Sequence, residues 1–253
     1  MRRRSAALLA SGALAVGMLV LPSIQRHESS GDAKFLGVSV NGDNPVVLGP
    51  DSSSGIDFTI TVQDGSGVAS VDRVGLWGPN NAVLQASATH CAAQTANISV
   101  CTGTASVDVS KKQIFDDMAG QWYVQATVHG RNGDERTEQK AGRFSIKKDG
   151  QLTEFGVPHA AEKGSLFTIG GQLKRPDWDD GTWVVSPKQK IAVEFCANPC
   201  TTAIKVVATE VTDSSGMIKA TVRATRTGVY TLTYPGKFWA EPVRSMPSQV
   251  TVD

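Results

Sequence analysis

Charge of either sign is scarce in this chain of 253 residues, and what there is nearly cancels: charged residues make up 19% and the formal net charge is +1. Residues 1–31 carry Arg2, Arg3, Arg4 and Arg26 against Glu28, an excess of three that leaves the remainder at −2. With no basic face to neutralise a row of phosphates, nucleic acid is excluded as a partner. There is also no block of like charges suited to a membrane surface. Catalytic signatures are missing as well: no G-x-S-x-G elbow, H-E-x-x-H pair or P-loop occurs. The four histidines, His27, His90, His129 and His159, are scattered with no local pattern linking them. Helix-period apolar patterns are almost absent, which points away from a helical fold.

What is present reads as short strands and tight turns. Hydrophobic residues make up 40% of the chain and there are 25 glycines, a composition of folded domains rather than disorder. In "FTITVQD", Phe58, Ile60 and Val62 face one way and Thr59, Thr61 and Gln63 the other, the period of a half-buried strand. "GQWYVQATVHG" puts Trp122, Val124, Ala126 and Val128 on one face. "KIAVEF" places Ile191, Val193 and Phe195 inward, and "TGVYTLTYPG" does so with Tyr230, Leu232 and Tyr234. "IKVVATEV" and "MIKATVRAT" read as a hairpin turning at Asp213–Gly216. "KKQIFDDM" fits one short helical turn. Charged residues and an Asp-Gly turn at 147–152 mark a boundary.

These patterns predict an all-β chain of two tandem immunoglobulin-like antiparallel β-sandwiches, 32–148 and 149–253, after a signal segment and short leader at 1–31. An OB-type barrel is the alternative for either half. "MRRRSAALLASGALAVGMLVLPS" has the cationic start and the short apolar run, Ala6–Pro22, of a secretory signal. No Ala-x-Ala follows the run, so an uncleaved N-terminal membrane anchor stays open. No cysteine follows it either, which speaks against a lipoprotein.

The four cysteines are Cys91, Cys101, Cys196 and Cys200. An even count in an exported chain indicates disulfides. The Asn198-Pro199 turn signal within "CANPC", and a loop between two strands in "AAQTANISV", favour Cys196–Cys200 and Cys91–Cys101 over crossed pairing. A zinc site lacks nearby histidines, and a redox pair would need CxxC at a helix start.

Two loops hold acids. "PDWDDGTW" gathers Asp177, Asp179 and Asp180 with Trp178 and Trp183. An EF-hand register begun at Asp177 fails, because its third ligand falls on Gly181 and its closing acid on Lys188. The acids are then either loop ligands for calcium or a solvated turn bonded to its own backbone. The tryptophans either stand exposed to meet a glycan or protein partner, or pack over the sandwich edge. "QDGSGVASVD" sets Asp64 and Asp72 around a Gly-rich turn, a calcium loop or a turn needing positive φ at Gly65 or Gly67. "RNGDE" (131–135) reads as an Asn-Gly turn and nothing more.

The chain resembles secreted proteins of actinobacteria built from tandem immunoglobulin-like modules. The resemblance is carried by "MRRRSAALLASGALAVG", "VQDGSGVASV", "AGQWYVQATVHGRNGD", "GGQLKRPDWDDGTW" and "DSSGMIKATVRATRTGVYTLTYPG". Some such proteins carry a calcium-binding label, so the resemblance implies a Ca²⁺ role for Asp177, Asp179 and Asp180, or for Asp64. The expected function is a non-enzymatic secreted or cell-surface binding or spacer protein. Its partner would be an extracellular protein or glycan, with no membrane insertion beyond the signal segment and no cofactor other than calcium. A calcium-dependent module and an extracellular enzyme or enzyme inhibitor are the alternatives.

Overall fold

The alternating segments become strands. The computed structural model describes residues 31–201 and 204–253, so all but the last residue of the expected signal segment and leader, 1–31, lies outside it. The first half contains β1 (Lys34–Val40), β2 (Val46–Leu48), β3 (Ser53–Gln63), β4 (Val68–Trp77) and β5 (Val83–Gln85). It continues with β6 (His90–Ala93), β7 (Ile98–Asp108), β8 (Gly120–Gly130) and β9 (Glu135–Lys148). They form two sheets, ordered β1-β3-β7-β6 and β2-β9-β8-β4-β5.

The second half contains β10 (Gln151–Phe155), β11 (Ala160–Ala161), β12 (Leu166–Asp177), β13 (Thr182–Val185) and β14 (Lys190–Ala197). β15 (Lys205–Val211), β16 (Met217–Arg223), β17 (Gly228–Tyr234), β18 (Val243–Arg244) and β19 (Ser248–Val252) complete it. One sheet runs β11-β19-β17-β14-β15, with β18 also on β17. In the other, β12 pairs with β10 along one edge and with β16 and then β13 along the other. Among the described residues no sheet is shared between the halves, and each half is a pair of sheets, the β-sandwich architecture. Among the described strands pairing is antiparallel apart from one short parallel contact in each half, β2 with β9 and β11 with β19, and an isolated parallel bridge joins Lys148 to Ala240 across the halves. "GQWYVQATV" and "GVYTLTY" become β8 and β17, interior strands of their sheets. Among the described residues no helix is long and apolar enough to cross a membrane.

The period-two faces build the cores. Phe58, Ile60 and Val62 meet Trp122, Val124, Ala126 and Val128 in the first core, and Ile191, Val193, Phe195, Tyr230, Leu232 and Tyr234 gather in the second. Each such side chain taken fully out of water contributes about 1.5–3 kcal/mol. "DDM" (Asp116–Met118) is a single 3₁₀ turn, as the sequence indicates.

The reading of 204–225 as a hairpin is corrected. β15 pairs with β14, whereas β16 pairs with β12 in the opposite sheet. The turn at Asp213–Gly216 therefore arches between sheets. Its local chemistry is that of a tight turn, with Asp213 Oδ1 accepting from the Ser215 and Met217 N–H groups. That chemistry does not say which sheet the next strand joins.

Candidate functional site

The loop "PDWDDGTW" ends β12 and begins β13, and it lies against the first sandwich. Trp178 has no exposed surface and belongs to the first core. Its indole N–H donates to the Leu48 carbonyl at 3.3 Å. Of the two readings of Trp178, the exposed, ligand-stacking one is thus corrected: the indole is fully buried in the core of the neighbouring sandwich. Trp183 is half-buried, and a Cβ on Gly49 of the first sandwich would lie 3.9 Å from its ring. Gly181 has φ +70° and faces the Pro50 carbonyl, so the turn that delivers the tryptophans uses glycine's left-handed freedom.

Lys148, at the end of β9, fastens the same junction. Its backbone N–H donates to Trp239 O, and its carbonyl accepts from Glu241 N–H, both at 2.9 Å. Trp239 packs against both cores. The buried Lys148 ammonium pairs with Asp116, donates to Pro176 O at 3.2 Å, and lies 5.2 Å from the Trp178 ring centroid. Burial pushes this lysine below the ordinary lysine range, and the hydrogen bond to Asp116 opposes that shift.

Asp116, Asp177 and Asp179 place one carboxylate oxygen each within 4.8 Å of the others. The group is served by the protein's own cations. Lys148 holds Asp116, Arg175 stands 3.5 Å from it, and Lys112 Nζ donates to the Asp179 carbonyl at 2.5 Å. Backbone N–H groups add to this: Trp178 N–H donates to Asp116 at 2.7 Å, Asp116 N–H to Asp179 at 3.3 Å, and Asp180 N–H to Asp177 at 3.0 Å. Asp177 and Asp179 are brought together with an acid from the other sandwich, whereas Asp180 is an exposed turn residue outside the group.

Asp64 lies elsewhere, after β3, and the structure gathers it with Asp32 and Asp134, again with oxygens within 4.8 Å. Asp72 is apart from them and contacts His129 Nε2 at 3.0 Å. The Gly-rich turn takes its positive φ at Gly67, +90°. Sequence reasoning missed Asp32, Asp134, Asp116 and Lys148. Their spacing carries no motif; only a sandwich topology that returns β3 and the β8–β9 turn to one end could have paired Asp64 with Asp134.

The disulfides are the two local ones, Cys91–Cys101 and Cys196–Cys200. Cys91 and Cys101 face each other across β6 and β7. Beyond the second bridge, β15 ends its sheet and exposes Val206, Val207 and Val211 by 60%, 45% and 61%.

No family model and no curated protein matches the chain. Solved structures with partial likeness include fibronectin(III)-like modules of CbhA from Clostridium thermocellum, at 12% identity and TM-score 0.36, covering 85% of this chain and 92% of that one. The Escherichia coli adhesin FdeC matches at 14% identity and TM-score 0.34, over 88% of this chain and 65% of its own. A superoxide reductase from Ignicoccus hospitalis matches at 9% identity and TM-score 0.28, over 42% of this chain and 82% of its own. The architecture and the junction therefore rest on the strand pairing and side chains described above.

Proposed function

We propose that the chain is a non-enzymatic exported protein that works at or outside the cell surface as a rigid two-sandwich spacer. The observation that carries this reading is Trp178: a side chain from the second sandwich completes the core of the first. A tethered pair of domains would leave their mutual orientation free, whereas a shared core, a buried ion pair and two backbone hydrogen bonds at Lys148 fix it. Export is supported by two closed disulfides, which persist in oxidising surroundings. The partner in this reading is an extracellular protein or glycan. The open apolar edge at β15 suits strand addition by a protein, and half-buried Trp183 is the tryptophan of its loop that a glycan can still reach.

Small-angle scattering of the intact chain tests the spacer. A single fixed elongated shape is expected, and Trp178→Ala is expected to broaden the distribution of distances. A wild-type chain that scatters as two hinge-linked bodies contradicts the proposal. Capture from culture fluid and glycan arrays, run with wild type, Trp183→Ala and Val207→Lys, identifies the partner surface.

A further inference from the structure

Asp64 is fully buried, yet one of its carboxylate oxygens has no partner among the described residues. Oδ1 accepts from the Ser66 N–H at 2.8 Å and from the Ser66 hydroxyl at 2.5 Å. Oδ2 accepts from no described residue. A buried carboxylate oxygen without a donor is costly, and in folded proteins it usually marks a missing water or ion.

The surroundings of Asp64 add charge of the same sign. Asp32, just before β1, and Asp134, just before β9, bring oxygens within 4.8 Å. Among the described residues none of these three carboxylates forms a salt bridge, in contrast to the junction. Each packs where a glycine leaves room. A Cβ on Gly130 would fall 2.4 Å from Asp64 Oδ2 and 2.8 Å from Asn132 Oδ1. A Cβ on Gly65 would fall 2.5 Å from Asp32 Oδ2, and one on Gly31 1.7 Å from Asp134 Oδ2. The orphaned oxygen and an amide oxygen therefore border one small space that any larger residue at Gly130 would fill.

We propose that Asp32, Asp64 and Asp134, with Asn132 Oδ1 beside them, bind one calcium ion at the end of the first sandwich opposite the junction. Calcium accepts irregular sets of oxygens at about 2.3–2.6 Å, so ligands on opposite sides of the ion stand about 4.8 Å apart. The three oxygens, all within 4.8 Å of one another, are close enough together to reach one such ion. Magnesium requires a tighter octahedron at about 2.0–2.1 Å. The ion supplies Asp64 Oδ2 with its missing partner and offsets the mutual repulsion of the three acids. It also ties together three distant segments: the chain entering β1, the turn after β3 and the β8–β9 turn. The site is independent of the spacer reading, because the junction lies at the other end of β9.

The test is calorimetric titration of the full chain with calcium chloride, with thermal melting alongside. One ion per chain is expected, with a dissociation constant at or below about 1 mM and a melting temperature that rises with calcium. Asp64→Asn and the more exposed Asp134→Asn are both expected to lose the heat and the melting shift while folding in chelator. Asp179→Asn is expected to keep them. Magnesium chloride should give a weaker signal. Absence of heat and of a shift in wild type at millimolar calcium overturns the proposal. So does binding that survives Asp64→Asn, binding that disappears with Asp179→Asn, or equal affinity for both ions.

Discussion

The first sandwich has an acidic trio at each end, and the two trios differ in where their counter-charge comes from. β9 runs between them for 14 residues, about 40 Å of extended chain. At its C-terminal end, Asp116, Asp177 and Asp179 come from both sandwiches, and Asp116 pairs with Lys148 and Arg175. At its N-terminal end, Asp32, Asp64 and Asp134 come from one sandwich and meet no cation among the described residues, and one of their oxygens is buried without a partner. The same residue type thus does two jobs. Where the fold brings its own ammonium, the acids fasten two domains. Where it does not, they leave an opening for an ion from solution.

Deleting the anchor of the junction should have the largest effect. Trp178→Ala empties a fully buried indole site and is expected to lower stability by about 4 kcal/mol, read by denaturant unfolding. The loss should appear in the unfolding of the first sandwich, although the residue belongs to the second. Lys148→Met comes next. It leaves Asp116 without its closest cation and is expected to cost about 3 kcal/mol while leaving calcium binding at the far end intact. Removal of Cys91–Cys101 by a double alanine substitution is expected to cost somewhat less, about 2.8 kcal/mol for an 11-residue loop, against about 2 kcal/mol for Cys196–Cys200. Neither deletion touches an acidic trio, so both should leave the contrast between the trios unchanged.

The smallest expected effect is on pH dependence. Burial lowers the Lys148 pKa from the usual 10.5. Between the lowered value and 10.5 the unfolded chain holds a proton that the folded chain has released, so stability contributed at this residue rises with pH across that window and is lost as pH falls through the lowered value. Melting of wild type against Lys148→Met from neutral pH to pH 10.5 should reveal the difference. A gap between the two that stays constant over this range removes the proposed perturbation.

Much of the architecture was legible in the sequence, and the reason is geometric. Alternation in "FTITVQD", "GQWYVQATV" and "KIAVEF" dictates which side chains a sandwich buries, and those residues fill the two cores. The short-range disulfides were legible because a turn separates Cys196 from Cys200 and a short loop between strands separates Cys91 from Cys101. The path of β15 and β16 was not, because an Asp-Ser-Ser-Gly turn has the same local chemistry whether it joins neighbours or crosses between sheets. Trp178 was left between an exposed and a packed reading for a related reason: a tryptophan in an acidic loop shows what covers it only once a second domain is placed against it. Asp64 was singled out by its loop, but its companions Asp32 and Asp134 stand 32 and 70 positions away, and only the fold brings them to the same end.

The contrast between the trios is tested most directly by one pair of isosteric substitutions, Asp64→Asn and Asp116→Asn, melted side by side in a calcium chelator. Asparagine at 64 keeps an oxygen for Ser66 and turns the orphaned position into a donor facing Asp32 and Asp134, so stability should rise by about 1 kcal/mol. Asparagine at 116 strands the buried Lys148 ammonium, so stability should fall by about 3 kcal/mol. Opposite signs are the predicted result; a comparable loss from both substitutions would contradict it.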